Sequence, residues 1–121
     1  MKLHREALIR LVNKFKAAVD GIVIGLKTDR SIRVQWLIAS VVFAIFWLVK
    51  IEPADWLWIV LCIGLVVSIE HINSAIEELA DFVEPKCSEH IKRIKDFSSA
   101  AVFILSITST VIGLIILLKY I

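Results

Sequence analysis

The residues that could do chemistry crowd into one stretch of the chain, Glu70–Asp96 (EHINSAIEELADFVEPKCSEHIKRIKD). At about 100° per residue, Glu70, Asn73, Glu77, Asp81 and Glu84 fall within roughly 80° of one helix face. Ile72, Ile76, Leu79 and Val83 lie away from that face, and Pro85 ends the helix because it has no amide hydrogen to donate. A row of carboxylates repels itself unless something neutralises it. Lysines could pair with the row, but the segment holds seven acids and four bases. Protons could neutralise it, which suggests a proton path. A hard divalent cation could bind it, since Mg²⁺ takes oxygen ligands and sits on one or two carboxylates plus phosphates. Lys95 is a point charge suited to a phosphate, and Asn73 can hydrogen-bond a phosphate or a carboxylate. Glu70, nearest the apolar run, would meet a group presented at a membrane surface, and burial would make it a better proton acceptor. The plain alternative is a solvated helix whose charges simply face water. Against that stands the one-sidedness of the row and its closeness to the apolar run.

Other constellations are weaker. Cys87-x-x-His90 is half of a zinc pattern with no second pair at suitable spacing, and His71 and Cys62 are poorly placed to complete it. His4 reads as a surface residue. Gly21-x-x-x-Gly25 is a slight helix-packing signal in a half-polar helix. The four glycines never form a phosphate-binding loop, and protein-kinase and dinucleotide-fold signatures are absent.

The elements that must position the acidic row are apolar helices. Of 121 residues, 59% are hydrophobic, which excludes disorder and an ordinary soluble globule and leaves length for a single domain, residues 1–121. The formal charge of +2 is too balanced for a nucleic-acid binder, and two cysteines make no disulfide scaffold. Charge-free runs cover 34–49, 56–69 and 97–118. A spanning helix needs about 20 residues. The expected spans are therefore 34–50, with Lys50 snorkelling, 56–76, which must run past Glu70 and His71, and 97–118. An ionisable residue at membrane depth is a functional-site hypothesis in itself. Twelve of the fourteen Lys and Arg lie before the first span or between the second and third. The positive-inside rule then places the N-terminus and the acidic segment in the cytoplasm. Residues 1–30 lack the pattern of a cleavable signal. They read as an amphipathic surface helix, with Leu8, Leu11, Val12, Phe15, Val19 and Ile22 on one stripe. The fold expected is an all-α membrane protein with one surface helix and three spans.

Two motifs, Glu70-x-x-Asn73-Ser74-Ala75-Ile76-Glu77-x-x-x-Asp81 and Lys95-Asp96-x-x-Ser99-Ala100-Ala101-Val102, closely resemble the prokaryotic diacylglycerol kinase family, which includes undecaprenol kinases. The resemblance covers nearly the whole chain. It implies an ATP- and Mg²⁺-dependent kinase in the bacterial cytoplasmic membrane that phosphorylates a lipid hydroxyl, as a homotrimer with sites shared between subunits. By position, Glu70 resembles the general base, Asp29 and Glu77 the Mg²⁺ ligands, and Asn73, Lys95, Asp96 and Asp81 the ATP-site residues. Arg33 and Ser99 match residues near the lipid, and Arg10 an arginine near the nucleotide.

This chain departs from the family pattern in places. Asp29 stands where a glutamate is usual, so its reach is one methylene shorter. Ser88 stands where the family keeps a histidine, so no role passes to His90. Gln35 replaces an acid of the diacylglycerol-specific branch, and Phe15-Lys16-Ala17-Ala18, Gly21-Ile22 and Lys92 look more like the undecaprenol branch. The resemblance thus favours undecaprenol over diacylglycerol as substrate. A reading from a different class is a small holin-like pore that uses the carboxylate row for cations.

Overall fold

The computed structural model describes residues 1–86 and 88–121. The described residues form four helices: α1 (Lys2–Thr28), α2 (Arg30–Val49), α3 (Pro53–Val83) and α4 (Glu89–Leu118). Cys87 of the Cys87-x-x-His90 pair lies outside the described residues, and His90 is exposed at the start of α4.

Three helices are long and apolar enough to cross a membrane: α2, α3 and α4. At about 1.5 Å per residue, α2 matches a hydrocarbon layer of about 30 Å, whereas α3 exceeds it by about 15 Å. The excess is the stretch that carries Asn73, Glu77 and Asp81. Each helix runs past its charge-free segment, because long charged side chains favour helix and can reach water from its ends. α3 lies between α2 and α4 and packs against both, and α1 meets α2 at the elbow between them.

The elbow is a single residue. Asp29 has extended backbone (φ −119°, ψ 115°), and its carboxylate accepts from the Ser31 and Ile32 amides, capping α2. The last carbonyls of α1 also find partners. The Asp29 amide donates to Gly25 O. Arg33 Nη1 donates to Leu26 O and Lys27 O, each at 3.2 Å. An exposed arginine thus closes the end of α1 and fixes the turn.

Between α2 and α3 the chain turns through Lys50, in the left-handed region (φ 60°), and Pro53 opens α3. Phe46, Ile51, Ile59 and Ile116 bury themselves together beside this turn. Phe43, Trp47 and Trp56 cluster there too, with ring centroids 5.0–6.4 Å apart. At the far end of α3, Glu84 and Pro85 stop the helix, and Ser88 accepts from the Ile91 amide to cap α4.

This core is thin. Leu37, Leu48, Leu57, Phe103 and Ile104 are each more than 60% exposed. In water such a surface would aggregate; in lipid it needs no cover, and the helices already satisfy their own backbone groups. α2, α3 and α4 also enclose an apolar cleft of about 390 Å³, which runs from Gln35 past Val42, Cys62 and Ser106 towards Leu117.

Candidate active site

The site starts from the period of α3. Glu70, Asn73 and Glu77 stack on successive turns, and packing against α2 and the elbow covers the first two most. Glu70 is 5% and Asn73 8% exposed, Glu77 is half-buried, and Asp81 is exposed. The row thus grades from interior to surface along one helix. Asp29 brings a third carboxylate in from the elbow. Ser74 Oγ donates to Asp29 Oδ2 at 2.5 Å, tying the elbow to α3. Around Glu70 stand the carboxylates of Asp29 and Glu77 and the amides of Asn73 and Gln35. Gln35 also lines the inner end of the apolar cleft, so that cleft ends beside Glu70.

Two polar groups have informative pairing. Asn73 Nδ2 donates to Glu77 Oε1 at 3.3 Å. Asn73 Oδ1 is buried with no hydrogen-bond partner among the described residues. A buried acceptor left open costs about 1–3 kcal/mol, so it calls for a ligand donor or a cation. The Asp29 carboxyl is held below the usual carboxylate range, first by the Ser74 hydroxyl, then by the Ile32 and Ser31 amides and Arg33, against a burial effect of opposite sign.

On the facing helix, Lys95 Nζ pairs with Asp81 Oδ1 at 2.6 Å. This bridge spans α3 and α4 and holds the ammonium at the mouth of the site. Asp96 pairs instead with Lys92 one turn back, at 2.6 Å, and both are exposed. Ser99 is exposed, whereas its neighbour Ser98 is buried. Arg33 lies against the end of α1, and Arg10 sits about 28 Å along α1 from the elbow. Within one chain, then, Asp29, Glu70, Asn73 and Glu77 come together, with Lys95 and Asp81 above them. Arg10 and Ser99 do not join this cluster.

Three neighbours of the site were not readable from spacing. Trp36 Nε1 donates to His71 Nε2 at 3.3 Å. Gly25 is buried at the same junction: a Cβ there would stand 2.8 Å from Ile32 Cδ1 and 3.1 Å from His71 Cε1. Gly21 has open space around it, so the Gly21-x-x-x-Gly25 pattern reduces to one close approach at Gly25. The sequence signal for this junction is the Gly21-x-x-x-Gly25 pattern; that Gly25 faces Ile32 and His71 is visible in the fold alone.

The donor set is oxygen-rich and suits a hard cation. Among the described residues, no three His, Cys, Asp or Glu side chains form a ready-made metal cage. Asp29, Glu77 and the open Asn73 Oδ1 would supply part of a coordination shell, and phosphate oxygens and water the rest. That is the usual arrangement for Mg²⁺ with a nucleotide.

Comparison with known proteins bears on this geometry. Residues 16–117 match the prokaryotic diacylglycerol kinase family. The chain is 33% identical over 117 residues to an undecaprenol kinase of Bacillus subtilis (strain 168), covering 97% of this chain and 95% of that protein. It is 27% identical over 97 residues to a diacylglycerol kinase of Haemophilus influenzae, covering 80% and 82% respectively. A buried acid beside the end of an apolar cleft, a lysine bridged to Asp81 farther along α3 and a match across most of the chain lead to one assignment: this multi-pass membrane protein belongs to the prokaryotic diacylglycerol kinase family and is an ATP-using lipid kinase.

Proposed function

We propose that the chain is an undecaprenol kinase that works as a homotrimer at the cytoplasmic face of the membrane, with Mg²⁺ and ATP. The observation that carries this reading is the burial of Glu70 where the apolar cleft meets the carboxylate and amide side chains of α3 and the elbow. A lipid tail in the cleft would bring its terminal hydroxyl to Glu70 from the membrane side. Phosphates would arrive from the Lys95 side.

In the proposed reaction the lipid hydroxyl oxygen attacks the γ-phosphorus of ATP, the bond to the bridging oxygen breaks, and ADP leaves. Glu70 accepts the hydroxyl proton on a carboxylate oxygen. Lys95, steadied by Asp81, binds phosphate oxygens, and Asn73 offers hydrogen bonds one turn from the base. Asp29 and Glu77 would hold Mg²⁺, which neutralises phosphate charge as in phosphoryl transfer generally. Packing of α2 and the elbow over Glu70 excludes water, which limits loss of phosphate to hydrolysis.

Several features support the finer parts of this reading. Twelve of fourteen Lys and Arg flank the acidic end, which favours a cytoplasmic site. The α1 stripe of Leu8, Leu11, Val12, Phe15 and Val19 is exposed throughout, as suits a helix lying in the headgroup plane. Arg10, about 28 Å along α1 from the elbow, would serve this site only if another subunit approached, which favours shared sites in a trimer. The undecaprenol preference rests on the 33% match over nearly the full chain; the 27% relative supports diacylglycerol as the second reading.

The test is purified protein in micelles with labelled ATP, Mg²⁺ and either undecaprenol or diacylglycerol. Faster labelling of undecaprenol is expected. Preferential labelling of diacylglycerol would move the assignment to the second reading, and no label in either lipid would remove both.

A further inference from the structure

We infer that Ser74 is a positioning residue that aims the Asp29 carboxylate into the site, an inference that rests on the proposed role of Asp29 and Glu77 in holding the cation. Asp29 occupies a one-residue break between two helices and is the shorter of the two acidic side chains. Its Oδ1 is committed to capping α2, at 2.9 Å from the Ser31 amide and 3.3 Å from the Ile32 amide. Only Oδ2 is turned towards α3, and there the Ser74 hydroxyl takes it. Ser74 lies four residues after Glu70 and three before Glu77, so its hydroxyl emerges on the flank of α3 between the two acids.

That position has a physical consequence. Asp29 and Glu77 each stand close enough to Glu70 for their charges to repel its carboxylate. Without a donor on α3, the Asp29 carboxylate can rotate away from Glu70 while its cap on α2 persists through Oδ1. The Ser74 hydroxyl opposes that rotation. A carboxylate has about four lone-pair sites. Three protein donors leave room for one further bond, which is what a cation ligand needs.

The experiment uses full-length Ser74→Ala, Ser74→Thr and Asp29→Asn proteins in micelles. Mn²⁺ is titrated by electron paramagnetic resonance with a non-hydrolysable ATP analogue present, beside the Mg²⁺ dependence of kinase rate. Outer-shell partners of metal ligands are typically worth roughly 10–100-fold in affinity. Ser74→Ala should therefore weaken Mn²⁺ binding and raise the half-saturating Mg²⁺ about tenfold, and kcat at saturating Mg²⁺ should fall much less. Ser74→Thr, which keeps the hydroxyl, should restore both. Unchanged Mn²⁺ affinity in Ser74→Ala overturns the inference. So does a fall in kcat and melting temperature with no shift in Mg²⁺ dependence. If Ser74→Ala does not fold, Ser74→Cys, with its weaker donor, should show an intermediate shift, and native affinity there overturns the inference equally. Asp29→Asn separates the two layers. Native Mn²⁺ binding in that variant removes Asp29 as a ligand; lost binding there with native binding in Ser74→Ala removes only the role of Ser74.

Discussion

α3 buries two acids, one in its first turn and one just past its midpoint, and treats them in opposite ways. Asp55, in the first turn, is 7% exposed and fully partnered. Lys119 Nζ reaches both of its oxygens at 3.0 Å, and Tyr120 Oη donates to Oδ2 at 2.6 Å. The Glu52 amide in turn donates to the Tyr120 oxygen at 2.8 Å, so the last residues of the chain clasp the turn between α2 and α3. Glu70, just past the middle of the helix, is 5% exposed, yet two more carboxylates flank it and an unpaired amide oxygen lies one turn away. Burial is similar at both acids; the supply of positive charge is not. A buried acid with its cation in place is structural, and a buried acid among acids stores a demand that a ligand can meet.

Breaking each acid's site should therefore give different symptoms. The largest effect expected is from Glu70→Gln, which should lower kcat by about 10²–10⁴-fold, the usual range for losing a general base. Asp55→Asn should leave kcat and KM near native and lower the melting temperature. Kinetics and thermal melts on both proteins check this, and the reverse pattern would collapse the contrast between the two acids. The lysines offer the next test. Lys95→Met should raise the KM for ATP roughly tenfold to hundredfold, corresponding to about 1.5–3 kcal/mol for a charged hydrogen bond, and Lys119→Met should leave it unchanged.

A pH series sharpens the same comparison. The hydrogen bonds of Asp55 hold both Lys119 and Tyr120 above their ordinary values. Groups raised in the folded state stabilise it fully below their unfolded pKa values and lose that contribution as pH rises through the folded ones. The melting-temperature gap between native protein and Tyr120→Phe should hold from about pH 6 to 9 and shrink only above about pH 10. The smallest effect expected is at the glycines. Gly25→Ala must push Ile32 and His71 apart and should cost about 1 kcal/mol in denaturant titrations, whereas Gly21→Ala, in open space, should gain roughly 0.5–1 kcal/mol.

Much of this was legible in the residues themselves. The four-helix layout follows from three charge-free runs and one amphipathic stripe, and the stacking of Glu70, Asn73 and Glu77 follows from helical period alone. The stop at Pro85 is likewise a local matter, set by a missing amide hydrogen. Other parts were not legible because they join residues far apart in the chain. Ser74 and Asp29 are 45 residues apart, Trp36 and His71 are 35 apart, and Asp55 and Tyr120 are 65 apart. No periodicity encodes such pairs. Arg33 illustrates the same limit: the resemblance set it near the lipid, and nothing in the spacing showed that its Nη1 donates to the carbonyls that end α1.

By itself, then, the sequence determined which helices form, which face of α3 is acidic and which flanks carry the positive charge, since these depend on neighbours within a turn or two. Only the tertiary structure decided that Asp29 reaches α3, that Glu70 is the acid left among acids, and that Asp55 is satisfied. Those outcomes depend on which helix packs beside which, and packing brings together side chains that the order of residues keeps apart.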